Sequence, residues 1–151
     1  MIEDRLAELG LTLPEAAAPV ASYVPAVEAG GMLYISGQLP FIDGDLMTGK
    51  VGERRSEEEA QEAAKACAVM LIAQMKKALG SLDRVERIVK LGVFVASMPD
   101  YTGQPKVANG ASDLMEAVFG EAGKHARSAV GVPALPLDAT VEIDAVVQIR
   151  A

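Results

Sequence analysis

Arg127 and Glu142 are the two charged residues hardest to assign to ordinary surface. Arg127 opens the run Arg127-Ser128-Ala129-Val130-Gly131-Val132, and Glu142 stands inside Val141-Glu142-Ile143-Asp144-Ala145-Val146. A planar guanidinium among small residues suits bidentate capture of a carboxylate. A nearby carboxylate can orient water or move protons. A salt bridge, or two solvated charges on a polar face, explains the same residues without chemistry. Alternation along a strand puts Glu142 and Asp144 on one face, so either acid is available. Pairing of the two segments as antiparallel neighbours, across the Pro133–Pro136 loop, would set Arg127 and Glu142 near one end of a sheet.

Other reactive types carry less. Cys67 falls on an apolar stripe and reads as a core thiol. His125 has no partner identifiable from sequence and reads as a loop or edge residue, although Lys124-His125-Ala126-Arg127 leads directly into the arginine segment. Gly44 to Lys50 matches the spacing of a phosphate loop. Such a loop needs Ser or Thr next and a helix starting at the lysine, whereas Val51 follows, so a hairpin turn is expected. Asp43 and Asp45 resemble the start of a calcium loop that lacks its terminal glutamate. One His and one Cys argue against a His/Cys zinc site.

The elements that must position these residues follow from periodicity. The opening Ile2–Leu9 reads as a short helix stopped by Gly10, and an Ala/Pro stretch leads from it into the domain. Val20–Ala29 and Met32–Ser36 read as strands of a hairpin around Gly30-Gly31. Glu57–Leu79 is the clearest element. Ser56 and Glu59 form a capping box, Lys76 and Lys77 end it, and Ala60, Ala64, Cys67, Leu71, Met75 and Leu79 make one apolar stripe. Val85–Ala96 is a strand, Ser97–Ala108 a looser region, and Ala111–Phe119 a second helix. Ala126–Val132 and Val141–Arg150 are the last strands. The order predicts an α+β fold, a mixed, mainly antiparallel sheet with two helices on one face.

Composition sets limits. The chain has 151 residues, 50% of them hydrophobic, enough for one domain of residues 19–151 preceded by an extension over 1–18. A net charge of −7 disfavours nucleic acid, which calls for clustered Lys and Arg. No apolar run is long enough to span a bilayer, and no basic segment followed by an apolar one opens the chain, so a cytoplasmic setting is expected.

Ser36-Gly37-Gln38-Leu39-Pro40, Thr48-Gly49, Val93-Phe94-Val95, Ala126-Arg127-Ser128 through Val132, Leu135-Pro136 and Val141-Glu142-Ile143 stand in an order and spacing that resembles the Rid (YjgF-type) family. The resemblance covers residues 20–150 or so. It implies a chorismate-mutase-like fold, a homotrimer with clefts between subunits, and hydrolysis of imines or enamines released by PLP-dependent enzymes. The products would be a 2-keto acid and ammonia, made without metal or organic cofactor. By position, Arg127 matches the arginine that grips the substrate carboxylate, and Glu142 the acid that positions or activates water. Tyr23, Ser36 and the backbone at Ala129 match positions that line the site. The chain departs from the family at Ala129, where a small polar or thiol residue is common, and at Ala21-Ser22, which replace Gly-Pro. A non-enzymatic binder of small carboxylates in the same cleft is the alternative. The endoribonuclease label also attached to the family fits poorly with the acidic, aromatic-poor composition.

Overall fold

The computed structural model describes residues 1–151 except Val20. A five-stranded sheet carries the fold. Its strands are β1 (Ala26–Ala29), β2 (Met32–Gln38), β5 (Val85–Ala96), β6 (Ala126–Val132) and β7 (Val141–Ile149), in the spatial order β1-β2-β7-β5-β6. Only β5 and β6 pair in parallel. A two-stranded ribbon of β3 (Phe41–Ile42) and β4 (Asp45–Leu46) stands apart. Asp43 and Gly44, at positive φ, form its turn, so the glycine-lysine stretch is a hairpin rather than a phosphate loop.

Helices cover one side of the sheet. α2 (Glu57–Leu79) has both halves of its capping box, and its buried side includes Ala60, Ala64, Cys67, Leu71 and Met75. Alanine on that side brings helix and sheet close, and large residues such as Leu71 and Met75 fill the gap between them. Each such side chain contributes roughly 1.5–3 kcal/mol on burial. α3 (Gln104–Phe119) packs against α2. Gly110 is the contact point, where a Cβ would lie 2.1 Å from the Gln61 carbonyl oxygen. The short α1 (Ile2–Glu8) buries Leu6 in the same core.

Several expectations need correction. The first strand spans only Ala26–Ala29. Ala21–Pro25 lies outside any strand, and Val20 is outside the described residues. The strand after the Gly-Gly turn runs on to Gln38. The second helix begins at Gln104, not Ala111, because Pro105 occupies its first turn, where a missing N–H and a fixed φ favour helix. The looser region is therefore only residues 97–103.

The largest correction concerns β6 and β7. They are not neighbours, because β5 lies between them. Leu91 pairs with both Arg127 and Ala145, and Phe94 pairs with both Val130 and Glu142. Leu91 and Ala145 face the helices. Arg127 therefore points to the helical side and Glu142 to the open side of the sheet. Their strands are two spacings apart, about 10 Å, and the two residues are also offset by three positions along β5. The open side carries Tyr34, Phe94, Val130 and Val146 together with Glu142 and Asp144. Among the described residues, no helix is long and apolar enough to cross a membrane.

Candidate functional site

Two hollows result, one on each side of the sheet. The first is a cleft of about 540 Å³ whose walls include Tyr23, Ser36, Gly37, Phe41, Pro136 and Glu142. Its geometry starts from an irregularity in β2. The register of β2 against β7 shifts between Ile35 and Gln38, so Ser36-Gly37 forms a bulge that turns the chain toward the cleft. Gly37 leaves room for Glu142 there, since a Cβ would sit 2.0 Å from Glu142 Oε2 and the glutamate would have to shift. Ser36 donates its hydroxyl to the Val24 carbonyl at 2.8 Å, and its N–H bonds Pro25 O at 2.9 Å. Ser36 therefore holds the segment that presents Tyr23.

A buried polar pair fixes the same wall from behind. Gln74 Nε2 donates to Gln38 Oε1 at 3.1 Å and to the Ala17 carbonyl at 2.9 Å, and Gln38 Nε2 donates to Ser36 O at 2.9 Å. These bonds join the two buried amides and tie the stretch entering the domain to the bulge. Sequence reading missed Gln74. Its signal was a lone amide inside an apolar helix face.

Glu142 and Asp144 share the open face, as alternation predicts. Asp144 lies against Gly92, where a Cβ would be 2.3 Å from its Oδ1. Burial, with Asp144 alongside, pushes the Glu142 carboxyl above its ordinary range. Burial also raises Asp144, against the lowering pull of the Gly92 N–H and of Lys90. Cys67 is fully buried and its thiol is pushed well up by burial, in keeping with a core role.

The second is a hollow of about 220 Å³ between α3 and β6, lined by Ser112, Glu116, Gly123, Lys124, His125 and Arg127. Arg127 Nη1 donates to Asn109 Oδ1 at 2.9 Å and to Ser112 Oγ at 3.1 Å, and Nη2 to Pro105 O at 3.3 Å. Every one of these partners is neutral. The guanidinium is held in place, yet among the described residues no acid lies within salt-bridge reach of it. That arrangement suits an anion from outside. Asn109 and Ser112 were missed because they precede or adjoin the expected helix start. Their spacing of three puts them on one face of a helix, which is the signal that finds them.

One chain thus brings Tyr23, Ser36 and Glu142 together but leaves Arg127 on the other side. Ala129, two residues along β6, shares Arg127's side and packs at the edge of the core, so it does not line the cleft.

Comparison with known proteins agrees with this architecture. Residues 3–148 match the family model described as "YjgF/chorismate_mutase-like, putative endoribonuclease". Protein TCP17 of Trypanosoma cruzi is 55% identical over 147 residues, covering 96% of this chain and 92% of that protein. A 2-iminobutanoate/2-iminopropanoate deaminase of Salmonella typhimurium is 34% identical over 133 residues, covering 87% of this chain and 90% of the enzyme. The crystal structure of an Agrobacterium tumefaciens protein of unknown function superposes with a TM-score of 0.92 at 51% identity, covering 99% of this chain and 92% of that one. The α+β sheet, the S-G-Q bulge, the arginine segment on β6 and the glutamate segment on β7 stand in a chain that belongs to the YjgF/Rid family.

Proposed function

We propose that this protein hydrolyses small imines bearing a carboxylate to 2-keto acids and ammonia. The observation that carries the reading is Arg127, a guanidinium fixed by three neutral acceptors and, among the described residues, in no salt bridge. A substrate carboxylate would take the free donor edge of that guanidinium. The name of the Salmonella relative supports an imine as the reacting group.

Glu142 supplies the complementary part. Its raised pKa makes it a stronger base than an ordinary glutamate once ionised. It takes a proton from water as the oxygen bonds to the imine carbon, and the C=N electron pair moves to nitrogen, which takes up a proton from solvent. With a second proton on its nitrogen the resulting carbinolamine loses ammonia, as its hydroxyl proton passes to solvent and C=O forms. An imine carbon is already electrophilic, so positioning supplies much of the acceleration. No step calls on a metal or organic cofactor.

Since one chain keeps Arg127 and Glu142 on opposite sides, the complete site forms between copies. Arg127 of one copy faces Tyr23, Ser36 and Glu142 of the next in a homotrimer. A cytoplasmic setting, where PLP-dependent enzymes release such imines, completes the reading.

The test couples a PLP-dependent dehydratase to the protein and follows decay of the imine. Wild type accelerates decay, and Arg127→Ala abolishes the acceleration while remaining folded and trimeric. Saturable binding of 2-oxobutanoate with no turnover on any imine replaces the enzyme by a carboxylate-binding protein using the same arginine.

A further inference from the structure

The Arg127 hollow contains a feature that carboxylate binding does not need. His125 Nε2 lies 2.8 Å from Ser112 Oγ, and His125 Nδ1 lies 2.6 Å from the Gly123 carbonyl oxygen. That carbonyl only accepts, so Nδ1 carries a proton and Nε2 is the position that changes state. Ser112 Oγ also accepts from Arg127 Nη1 at 3.1 Å. A histidine, a hydroxyl and the anion-binding guanidinium are therefore linked in one chain of hydrogen bonds.

We propose that Ser112 and His125 form a proton relay serving the substrate held on Arg127. The proposal rests on the imine-hydrolase reading above and adds to it the group that delivers the nitrogen's proton. Ser112 has two arrangements. Beside a neutral imidazole its O–H points to Nε2. Beside an imidazolium, Nε2–H and Arg127 Nη1 both donate to Oγ, and the serine proton turns outward into the hollow. In the second arrangement Ser112 donates to the nitrogen of the carbinolamine, His125 replaces that proton through Nε2–H, and the C–N bond breaks to release ammonia. The proton that Glu142 removed from water returns to the imidazole through solvent, so the cycle closes with one water consumed and one ammonia formed.

Imidazole is the side chain whose ordinary ionisation falls within the physiological range, which fits it to give and regain a proton each turnover. The charged groups around it are Arg127 on β6, Lys124 beside it, Glu116 on α3 and Arg87 on β5, whose guanidinium bonds the Lys124 carbonyl. Lys124 is itself paired with Glu121.

The experiment measures turnover of the imine against pH for wild type, His125→Gln and Ser112→Ala. Glutamine keeps a hydrogen-bonding group near Ser112 but carries no ionisable proton. The expected result for His125→Gln is a fall in kcat of about 10²-fold with KM little changed, and loss of one limb of the pH profile. Ser112→Ala behaves likewise. An unchanged kcat and pH profile in His125→Gln overturns the relay and leaves the hydrolase reading standing. A joint loss of kcat and 2-oxobutanoate binding overturns it in favour of a purely structural role. A wild-type protein inert on every imine overturns both. A second measurement uses the unaltered protein. His125 is the sole histidine, so its ring ¹⁵N signals need no assignment. Saturation with 2-oxobutanoate is expected to move the His125 titration midpoint, and an unmoved midpoint overturns the coupling.

Discussion

Glu142 sits where a carboxylate is costly and a glycine makes room for it. Its Oε2 occupies the space a Cβ on residue 37 would take, and burial and Asp144 both disfavour its charged form. The fold therefore binds its proton more tightly than the unfolded chain does. A raised folded pKa contributes stability in acid, and that contribution is lost as pH rises through the folded value. Glu142→Gln cannot ionise, so where Glu142 stands uncompensated, as in the single chain, the variant is expected to melt at a higher temperature than wild type at pH 7. The gain should disappear below the ordinary glutamate value of 4.5. Thermal denaturation at the two pH values checks this. A lower melting temperature at pH 7 would mean that a cation from another copy neutralises the carboxylate in the assembly. At this scale Tyr23, Ser36 and Glu142 were readable as a group from their segments, but Ala129 was not. Strand alternation gives its face only once the side of Arg127 is known.

Elements built from local signals were the most legible. α2 declares its start by Ser56 and Glu59, its length by one apolar stripe and its stop by Gly80, all within the helix itself. Ser56 Oγ accepts from Glu59 N at 3.1 Å, and Glu59 Oε1 accepts from Ser56 N at 3.0 Å. Ser56→Ala removes one of these bonds and leaves the Glu59 N–H dependent on water. The expected cost is about 1 kcal/mol, a drop in Tm of about 2–4 °C for a chain of this size, read by calorimetry. α3 was half legible, because Pro105 reads as a breaker until it is recognised as a first-turn residue. The pairing of β6 was not legible at all. The short connection from β6 to β7 favours a hairpin, but β5 is the more continuous apolar strand and takes the place between them. Strand order is decided by contacts distant in sequence, which no local pattern encodes. That one misplacement is why Arg127 and Glu142 looked like neighbours within a single chain.

The open face of the sheet belongs to the whole molecule. Tyr34 and Val130 are 48% and 46% exposed there, in line with Phe94 and Val146 and beside two carboxylates whose charged forms are disfavoured. An apolar sheet face left uncovered in one chain is the kind of surface that association buries. Covering it with further copies would also bring Arg127 of one copy to Glu142 of another, and this makes the proposed assembly testable through chemistry. In the proposed homotrimer, Arg127→Ala and Glu142→Ala each remove one half of every site, and each alone is expected to be inactive. Unfolding and refolding them together should produce mixed trimers in which some sites join an intact Arg127 from one copy to an intact Glu142 from the next. Random mixing of equal amounts restores about a quarter of the wild-type sites. Sedimentation before and after mixing verifies that the species are trimers of the 15.8 kDa chain. Recovery of imine turnover to about that fraction establishes a site shared between copies. A mixture as inactive as its parents would place both groups' roles within one chain, where the sheet keeps them apart, and would leave the Arg127 hollow as the whole of the site.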